Sequence, residues 1–212
     1  MQDLLEVTGI VLKAEPVGEY DRRMVLLTGS HGKITVFAKG ARRPNSRFIA
    51  ASNPFCFGKF RVFVGKTSYS LSDAEIHSYF DELKQDYEKV IYGMYFLELA
   101  DYYSRENLEA EELLKLLYFS LKALLHPAFP DPMVRVVYEL KALAIDGVLP
   151  EAESGTWSEA MCYTVEFIRK TEVGKLYSFA LKDSVLEELE RWGSICRKRF
   201  IDKPLKSMEL LP

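Results

Sequence analysis

Cysteine, long apolar runs and targeting signals are scarce or missing in this chain of 212 residues. The three cysteines, Cys56, Cys162 and Cys196, form no close pair, so neither a disulfide framework nor a structural zinc site is expected. No run of about 18 apolar residues occurs, which argues against a transmembrane helix. The N-terminus lacks a basic region followed by an apolar stretch, so no signal peptide is predicted and a cytoplasmic location is expected.

Motifs of catalysis and of nucleotide binding are also missing. The three histidines, His31, His77 and His126, stand in no metal-binding spacing. Neither a glycine-rich phosphate loop nor a nucleophile elbow occurs. We therefore predict no catalytic residue, no cofactor and no metal site, and a protein that is not an enzyme. An unrecognised hydrolase or nuclease remains the rival of this interpretation.

Charge is distributed unevenly along the chain. Residues 1–80 carry 11 Lys or Arg and 7 Asp or Glu, a net charge of +4, although the whole chain carries −3. The remaining residues therefore carry −7. Such an asymmetry indicates two parts with separate roles, and a basic part suits a polyanionic partner.

The pattern of residues 1–80 is typical of β-structure. Short runs rich in branched and aromatic residues are separated by turn residues, and Ile34, Val36 and Ala38 alternate with polar or aromatic neighbours. Strands are predicted over residues 7–14, 24–28, 33–39, 55–66 and 69–76. Five short strands fit a closed barrel or a small sandwich.

After residue 80 the apolar period becomes helical. Helices are predicted over residues 87–103, 107–125, 131–147, 158–170 and 184–200. Asn107 and Asp131 are the expected N-caps of the second and third helices, and Ser184 with Glu187 forms an expected capping box. Gly147 is expected to end the third helix in the left-handed conformation. The fold is thus α+β with two domains, residues 1–80 and residues 81–212.

A basic loop, residues 39–47, follows the third predicted strand. It contains four cations and no acid, with small or turn-forming residues between them. Cations neutralise phosphates, and the backbone amides of Gly40 and Ser46 are expected to approach them. The main predicted DNA contacts are Lys39, Arg42, Arg43 and Arg47. The secondary predicted contacts are Lys13, Arg22, Arg23, Lys59 and Arg61.

Aromatic residues alternate with cations on two predicted strands. On strict alternation Lys59, Arg61 and Phe63 share one face, opposite Phe60, Val62 and Val64. Phe37 precedes Lys39 in the same manner. Aromatic rings stack on bases while cations follow phosphates, so Phe37 and Phe63 are candidates for base stacking in single strands. A bulge at Gly58 would change this register, and the aromatic rings would then fill the core instead.

A second basic cluster, Arg197, Lys198 and Arg199, lies near the end of the last predicted helix. It suits nucleic acid or an acidic partner peptide. Cations at a helix C-terminus are also favoured by the helix dipole alone.

Several segments resemble the RecO family of bacterial recombination mediators and DNA repair proteins. Those segments are residues 9–12, 18–22, 27–28, 32–33, 38–43, 46–47, 54–55, 71–75, 138–141, 147–150 and 206–211. The resemblance implies an N-terminal five-stranded OB-fold barrel and an all-α C-terminal domain. Many members of the family also hold a four-cysteine zinc site after the Gly147–Pro150 segment. Only Cys162 follows nearby, so the site is expected to be lost and the region to be held by packing of Trp157, Tyr163, Phe167 and Ile168.

The same resemblance implies a function in DNA repair and recombination after DNA damage. It implies binding to single-stranded and double-stranded DNA, annealing of complementary strands, and loading of RecA, together with RecR, on DNA covered by single-strand-binding protein. The acidic tail of single-strand-binding protein is an implied partner, and Arg197, Lys198 and Arg199 are our candidates for holding it. The resemblance also implies a location at the nucleoid, with no attachment to a membrane. The alternative is an adaptor between proteins that has little or no affinity for DNA.

Overall fold

Residues 4–78 contain a closed five-stranded barrel in the computed structural model, which describes residues 3–212. The strand order is β1-β2-β3-β5-β4, and the pairing of β3 with β5 is parallel. This arrangement confirms the predicted OB-type barrel and excludes the sandwich. The strands are β1 (Leu4–Val17), β2 (Asp21–Thr28), β3 (Gly32–Ala38), β4 (Phe57–Val64) and β5 (Tyr69–Ser78).

The barrel core follows the predicted alternation. Ile34, Val36 and Ala38 of β3 are buried, as are Phe60 and Val62 of β4. Val64 was expected on the same inner face, but it is 39% exposed because β4 ends there. Bulges between β4 and β5 occur at Phe57/Gly58 and at Arg61/Val62. They leave Lys59, Arg61 and Phe63 on the exposed face, so the predicted alternation holds up to Val62.

Two short helices had not been predicted from the sequence. The short helix α1 (Phe48–Ala51) lies between β3 and β4, and α2 (Asp81–Lys84) follows β5. Two 3-10 turns cover Val173–Lys175 and Lys206–Leu210. The long helices are α3 (Tyr87–Tyr103), α4 (Glu111–Leu124), α5 (Asp131–Ile145), α6 (Glu159–Lys170) and α7 (Asp183–Phe200).

Two predicted helix ends are confirmed. The Ser158 hydroxyl accepts a hydrogen bond from the backbone N–H of Met161 at 3.2 Å and so caps α6. Gly147 has φ +78°, two residues beyond the end of α5, where a left-handed residue releases the chain from the helix.

Three predicted helix N-caps are wrong. Asn107 lies before α4 with φ +60°, and its N–H donates to the carbonyl of His31 at 3.1 Å. Asp131 is the first residue of α5 rather than its cap, which is Pro130. Ser184 lies inside α7, whose cap Lys182 makes no side-chain bond. Only α4 starts several residues from its predicted position, because Asn107 takes part in the contact with His31; α5 starts at the predicted residue, and α7 starts one residue earlier.

The chain divides into two compact units that differ from the predicted division at residue 80. The barrel unit comprises Met1–Asp81 and Leu97–Leu114, and the helical unit comprises Glu82–Phe96 and Lys115–Pro212. In the barrel unit the N–H of Lys33 donates to the carbonyl of Arg105 at 3.0 Å, and the N–H of Ala110 to that of Gly29 at 2.8 Å. These bonds attach residues 105–110 to the β2–β3 turn, a contact that sequence period cannot reveal.

The helical unit has an aromatic centre. The rings of Phe96 and Tyr138 stack with centroids 4.3 Å apart, and the Tyr138 hydroxyl donates to the carbonyl of Phe96 at 2.8 Å. Helices α5, α6 and α7 pack against one another within this unit. None of the helices within residues 3–212 has the length and apolar character needed to cross a membrane.

Candidate nucleic-acid interface

The tip of the β1–β2 hairpin meets the basic loop at one end of the barrel. The backbone N–H of Arg42 donates to the carbonyl of Tyr20 at 2.8 Å, and the Arg42 guanidinium lies 3.4 Å from the carbonyl of Gly18 and 3.3 Å from that of Glu19. The Arg43 guanidinium lies over the Tyr20 ring, 5.1 Å from its centroid. Two segments that are separate in sequence therefore present one surface.

The basic loop is held by its own amides. The N–H of Gly40 donates to the Asp21 carboxylate at 2.7 Å, and that of Ser46 to the carbonyl of Arg43 at 3.1 Å. These are the two amides that the sequence had suggested for phosphate contact, and they are already satisfied inside the protein. Phosphate binding by this loop consequently depends on side chains.

Three cations of the basic loop carry charge that no acid neutralises. Lys39, Arg42 and Arg43 are exposed, and none of them forms an ion pair with an acidic side chain within residues 3–212. Arg47 differs, because it pairs with Asp73 at 3.2 Å and stacks on Phe48. Unpaired surface cations that are held in place by their backbone are suited to binding an anion.

The secondary cations of the first two strands have partners inside the barrel unit. Arg22 donates to Ser52 Oγ at 2.9 Å and to Asn53 Oδ1 at 2.7 Å, which anchors the segment after α1. Arg23 pairs with Glu15 at 3.4 Å, and Lys13 lies 2.6 Å from Asp101. These side chains stabilise the fold, and a phosphate would have to compete with their partners.

The exposed face of β4 is not basic as a whole. Arg61 pairs with Glu6 at 2.9 Å and lies 3.5 Å from Asp73. Its guanidinium holds the pKa of Glu6 below its ordinary value through this hydrogen bond. Lys59 lies opposite Glu75 in the strand register. Three acids thus surround two cations, so this face attracts a polyanion less than the sequence alternation suggested.

The two predicted stacking residues lie in different surroundings. Phe63 is 36% exposed, opposite Leu4 of β1 and on the acid-containing face of β4. Phe37 is half-buried on β3, and its register partner is Arg23. Phe37 stands two residues before Lys39, at the end of β3 from which the basic loop leaves, whereas Phe63 stands on β4.

Sequence reasoning missed Tyr20 and Lys66. Tyr20 is 39% exposed at the hairpin tip, and Lys66 is exposed in the β4–β5 loop. The neighbouring Gly18 signalled a turn, and turn residues are commonly exposed, so the position of Tyr20 was accessible to prediction. Its pairing with Arg43 was not, since the two residues approach only when the barrel closes.

The three cations of the second basic cluster do not share one exposed face of α7. Arg197 is 16% exposed and forms a 2.8 Å ion pair with the buried carboxylate of Glu139. A partner tail would have to displace this carboxylate to reach Arg197. Lys198 and Arg199 are exposed on α7.

Aromatic packing occurs in the region where a zinc site had been considered. The rings of Trp157 and Trp192 meet edge to face, 5.7 Å apart, and Ile168 is fully buried. Tyr163 does not pack as expected, because it is 73% exposed. The described part of the chain, residues 3–212, contains no group of three His, Cys, Asp or Glu side chains placed to hold a metal ion.

The cysteines are free thiols. Cys56 and Cys196 are buried, whereas Cys162 is partly exposed. Burial raises the pKa of Cys196 to about 11, so this thiol stays protonated at neutral pH.

A closed OB-type barrel that carries exposed cations, followed by a helical region, defines a class of two-part proteins built on a nucleic-acid-binding fold. Residues 1–80 match the family described as Recombination protein O N terminal, and residues 84–157 match Recombination protein O C terminal. The chain belongs to the RecO family, which acts in DNA repair and recombination.

Relatives named DNA repair protein RecO match most of the chain. The protein of Acetivibrio thermocellus is 25% identical over 98% of this chain and 96% of its own length. That of Clostridium perfringens is 27% identical over 98% of this chain and 97% of its own. That of Symbiobacterium thermophilum is 35% identical over 74% of this chain and 63% of its own.

Proposed function

We propose that this protein is a DNA-binding recombination mediator with no catalytic step of its own. The observation that carries the proposal is the cluster of Lys39, Arg42 and Arg43, three exposed cations without acidic partners on an ordered loop of an OB-type barrel. Phosphates replace their counterions, and the released ions favour binding. The family's role in DNA repair supports the same ligand.

The arrangement favours contacts to the DNA backbone over contacts to base edges. Cations on a convex loop reach phosphates of single and double strands alike, and such contacts carry little sequence information. We therefore expect binding to both forms of DNA with low sequence specificity and a steep dependence on salt. Arg47, Arg61 and the other paired cations contribute less, because they must first exchange their carboxylate partners.

The proposed cellular role is that of the mediator itself. The protein anneals complementary strands and, with RecR, helps RecA replace single-strand-binding protein on DNA, which places it with the nucleoid in the cytoplasm. The acidic tail of single-strand-binding protein meets the exposed Lys198 and Arg199 of α7. Ion pairing with the tail's carboxylates is the physical basis of this contact.

The decisive experiment is a fluorescence-anisotropy titration of a labelled oligothymidylate at several salt concentrations. The variant Arg42→Gln/Arg43→Gln should bind more weakly than the parent. Its slope of log affinity against log salt should be smaller by roughly 1.4, about 0.7 for each lost phosphate contact to a single strand.

The matched control is Lys170→Gln/Lys175→Gln, which removes the same charge from two exposed lysines that pair with Glu166 and Glu172. It should leave affinity and slope unchanged. If the parent protein does not bind at low salt, the proposal is wrong and an adaptor that docks proteins takes its place. Cleavage of the oligonucleotide in Mg²⁺ or Mn²⁺ would instead favour a nuclease.

A further inference from the structure

We infer that Tyr20 is a base-stacking platform for single-stranded DNA, oriented by Arg43 at the tip of the β1–β2 hairpin. The inference rests on the proposed DNA binding and adds to it a residue that distinguishes unpaired from paired bases. Its basis is the position of one exposed aromatic ring beside Arg42 and Arg43, two cations that lack acidic partners in the described part of the chain.

The hairpin tip is fixed, although it is exposed. Gly18 takes φ +57°, which a tight turn requires and which side-chain-bearing residues adopt with difficulty. The carbonyl of Tyr20 accepts the Arg42 N–H at 2.8 Å, so the backbone that carries the ring is tied to the basic loop. A platform held in this manner loses little conformational entropy when a base stacks on it.

Tyr20 is 39% exposed, and the Arg43 guanidinium lies 5.1 Å from the centroid of its ring. A guanidinium against an aromatic ring is a favourable cation–π contact, and it places positive charge beside the ring. A nucleotide presents the matching chemistry, since its base has a π-face and its phosphate is anionic. Tyr20 and Arg43 can therefore bind the two parts of one nucleotide.

The other exposed aromatic of the barrel strands fits this role less well. Phe63 shares the face of β4 on which Glu6, Asp73 and Glu75 surround Lys59 and Arg61. A phosphate that follows a base stacked on Phe63 would approach those carboxylates. At the hairpin tip Glu19 and Asp21 flank Tyr20 in sequence, but the group against the ring is Arg43, a cation without an ion pair among residues 3–212. The position of this guanidinium therefore favours Tyr20 over Phe63 as the stacking residue.

The ring should matter only where bases are accessible. In a duplex the bases stack on each other and their faces are covered, whereas single strands offer them freely. Tyr20→Leu removes the aromatic face but keeps an apolar side chain and the backbone carbonyl that holds Arg42. We expect it to weaken binding to a single strand roughly tenfold, with duplex binding changed less than about twofold.

The test compares the parent, Tyr20→Leu, Tyr20→Phe and Arg43→Gln on a single strand and on the duplex of the same sequence, over a salt series. Tyr20→Phe should match the parent, because it keeps the ring. Tyr20→Leu should keep the parental salt slope, while Arg43→Gln should reduce the single-strand slope by roughly 0.7. A strand containing 2-aminopurine should show less quenching with Tyr20→Leu than with the parent, since quenching reports stacking.

Each outcome has one meaning. If Tyr20→Leu binds the single strand as tightly as the parent, or weakens both DNA forms equally, the platform is refuted while DNA binding itself stands. If the parent binds neither form, the proposed function and the platform fail together. Thermal unfolding of Tyr20→Leu, compared with Tyr20→Phe, shows whether the substitution has damaged the barrel rather than the interface.

Discussion

Arg197 shows how the role of a single charged residue depends on the helix face that carries it. The guanidinium bonds both carboxylate oxygens of Glu139 at 2.8 Å, and Glu139 itself is only 3% exposed. The Tyr95 hydroxyl donates to the same carboxylate at 2.7 Å. Burial, together with the adjacent carboxylate, raises the pKa of Tyr95, so its hydroxyl stays protonated and remains a donor.

Removing Arg197 should therefore destabilise the helical unit. The change Arg197→Met leaves Glu139 with Arg135 at 3.5 Å as its remaining ionic partner, and it should lower the free energy of unfolding by about 3 kcal/mol. Urea unfolding followed by tryptophan fluorescence is the suitable measurement, because both tryptophans, Trp157 and Trp192, lie in this unit.

The control is Lys198→Met, the neighbouring exposed cation, which should change stability by less than about 0.5 kcal/mol. If both substitutions changed the free energy of unfolding equally, the buried Glu139 carboxylate would not need Arg197 as its ionic partner. In that event Arg197 would again be a candidate for binding a partner.

At the scale of the element, strand β4 depends on a glycine that lacks space for a side chain. A Cβ atom on Gly58 would fall against the backbone of Glu75 and lie 2.8 Å from Cα of Ile76 on the paired strand β5. Backbone atoms cannot rotate away as a side chain can. The bulge between Phe57 and Gly58 thus rests on the absence of a side chain.

Gly58→Ala should destabilise the barrel by about 2 kcal/mol, since the two strands must separate or the bulge must shift. Far-UV circular dichroism during urea unfolding measures the effect. Gly174→Ala is the control, because the nearest atoms there belong to the Phe119 ring at 3.9 Å, an ordinary contact. A Gly58→Ala protein as stable as the parent would show that the β4–β5 pairing tolerates a wider spacing.

Element identity was more predictable than element ends. Every strand and long helix was predicted from its apolar pattern, such as the alternation of the buried residues 34, 36 and 38 in β3 and the nearly continuous apolar character of α3. Asn107 and Ser184 misled the prediction of helix N-caps. A capping side chain contributes only about 1 kcal/mol, which a tertiary contact such as the Asn107–His31 bond can outweigh.

At the scale of the whole molecule, Asp101 joins residues that are far apart in the chain. Its carboxylate lies 2.6 Å from Lys13 and 3.0 Å from Lys33, all within the barrel unit. Partial burial alone would raise the pKa of Asp101, but hydrogen bonds from the two lysines outweigh burial and hold it below the ordinary value of 3.8. The charged form of Asp101 therefore stabilises the folded state.

The stability contributed by Asp101 is present above its ordinary pKa and is lost as the pH falls through the lower folded-state value. Asp101→Asn should reduce the free energy of unfolding by about 1–2 kcal/mol at neutral pH, and the difference from the parent should shrink below a pH of about 3.8. Glu109→Gln, an exposed acid of the same unit, should have no comparable effect. A difference that is constant from neutral to acidic pH would contradict this assignment, and circular dichroism of urea unfolding at each pH measures it.

The sequence by itself determined the five strands, the helical segments, the basic loop and the family, since these depend on local period, composition and motif, and the family resemblance indicated the barrel. Only the tertiary structure decided which cations remain without an acidic partner. Arg61, Arg47 and Lys13 meet Glu6, Asp73 and Asp101 across strands or elements, whereas Lys39, Arg42 and Arg43 meet none of the acids described. The physical reason is that charge pairing and aromatic contacts depend on distances of a few ångströms between residues that only barrel closure and packing bring together.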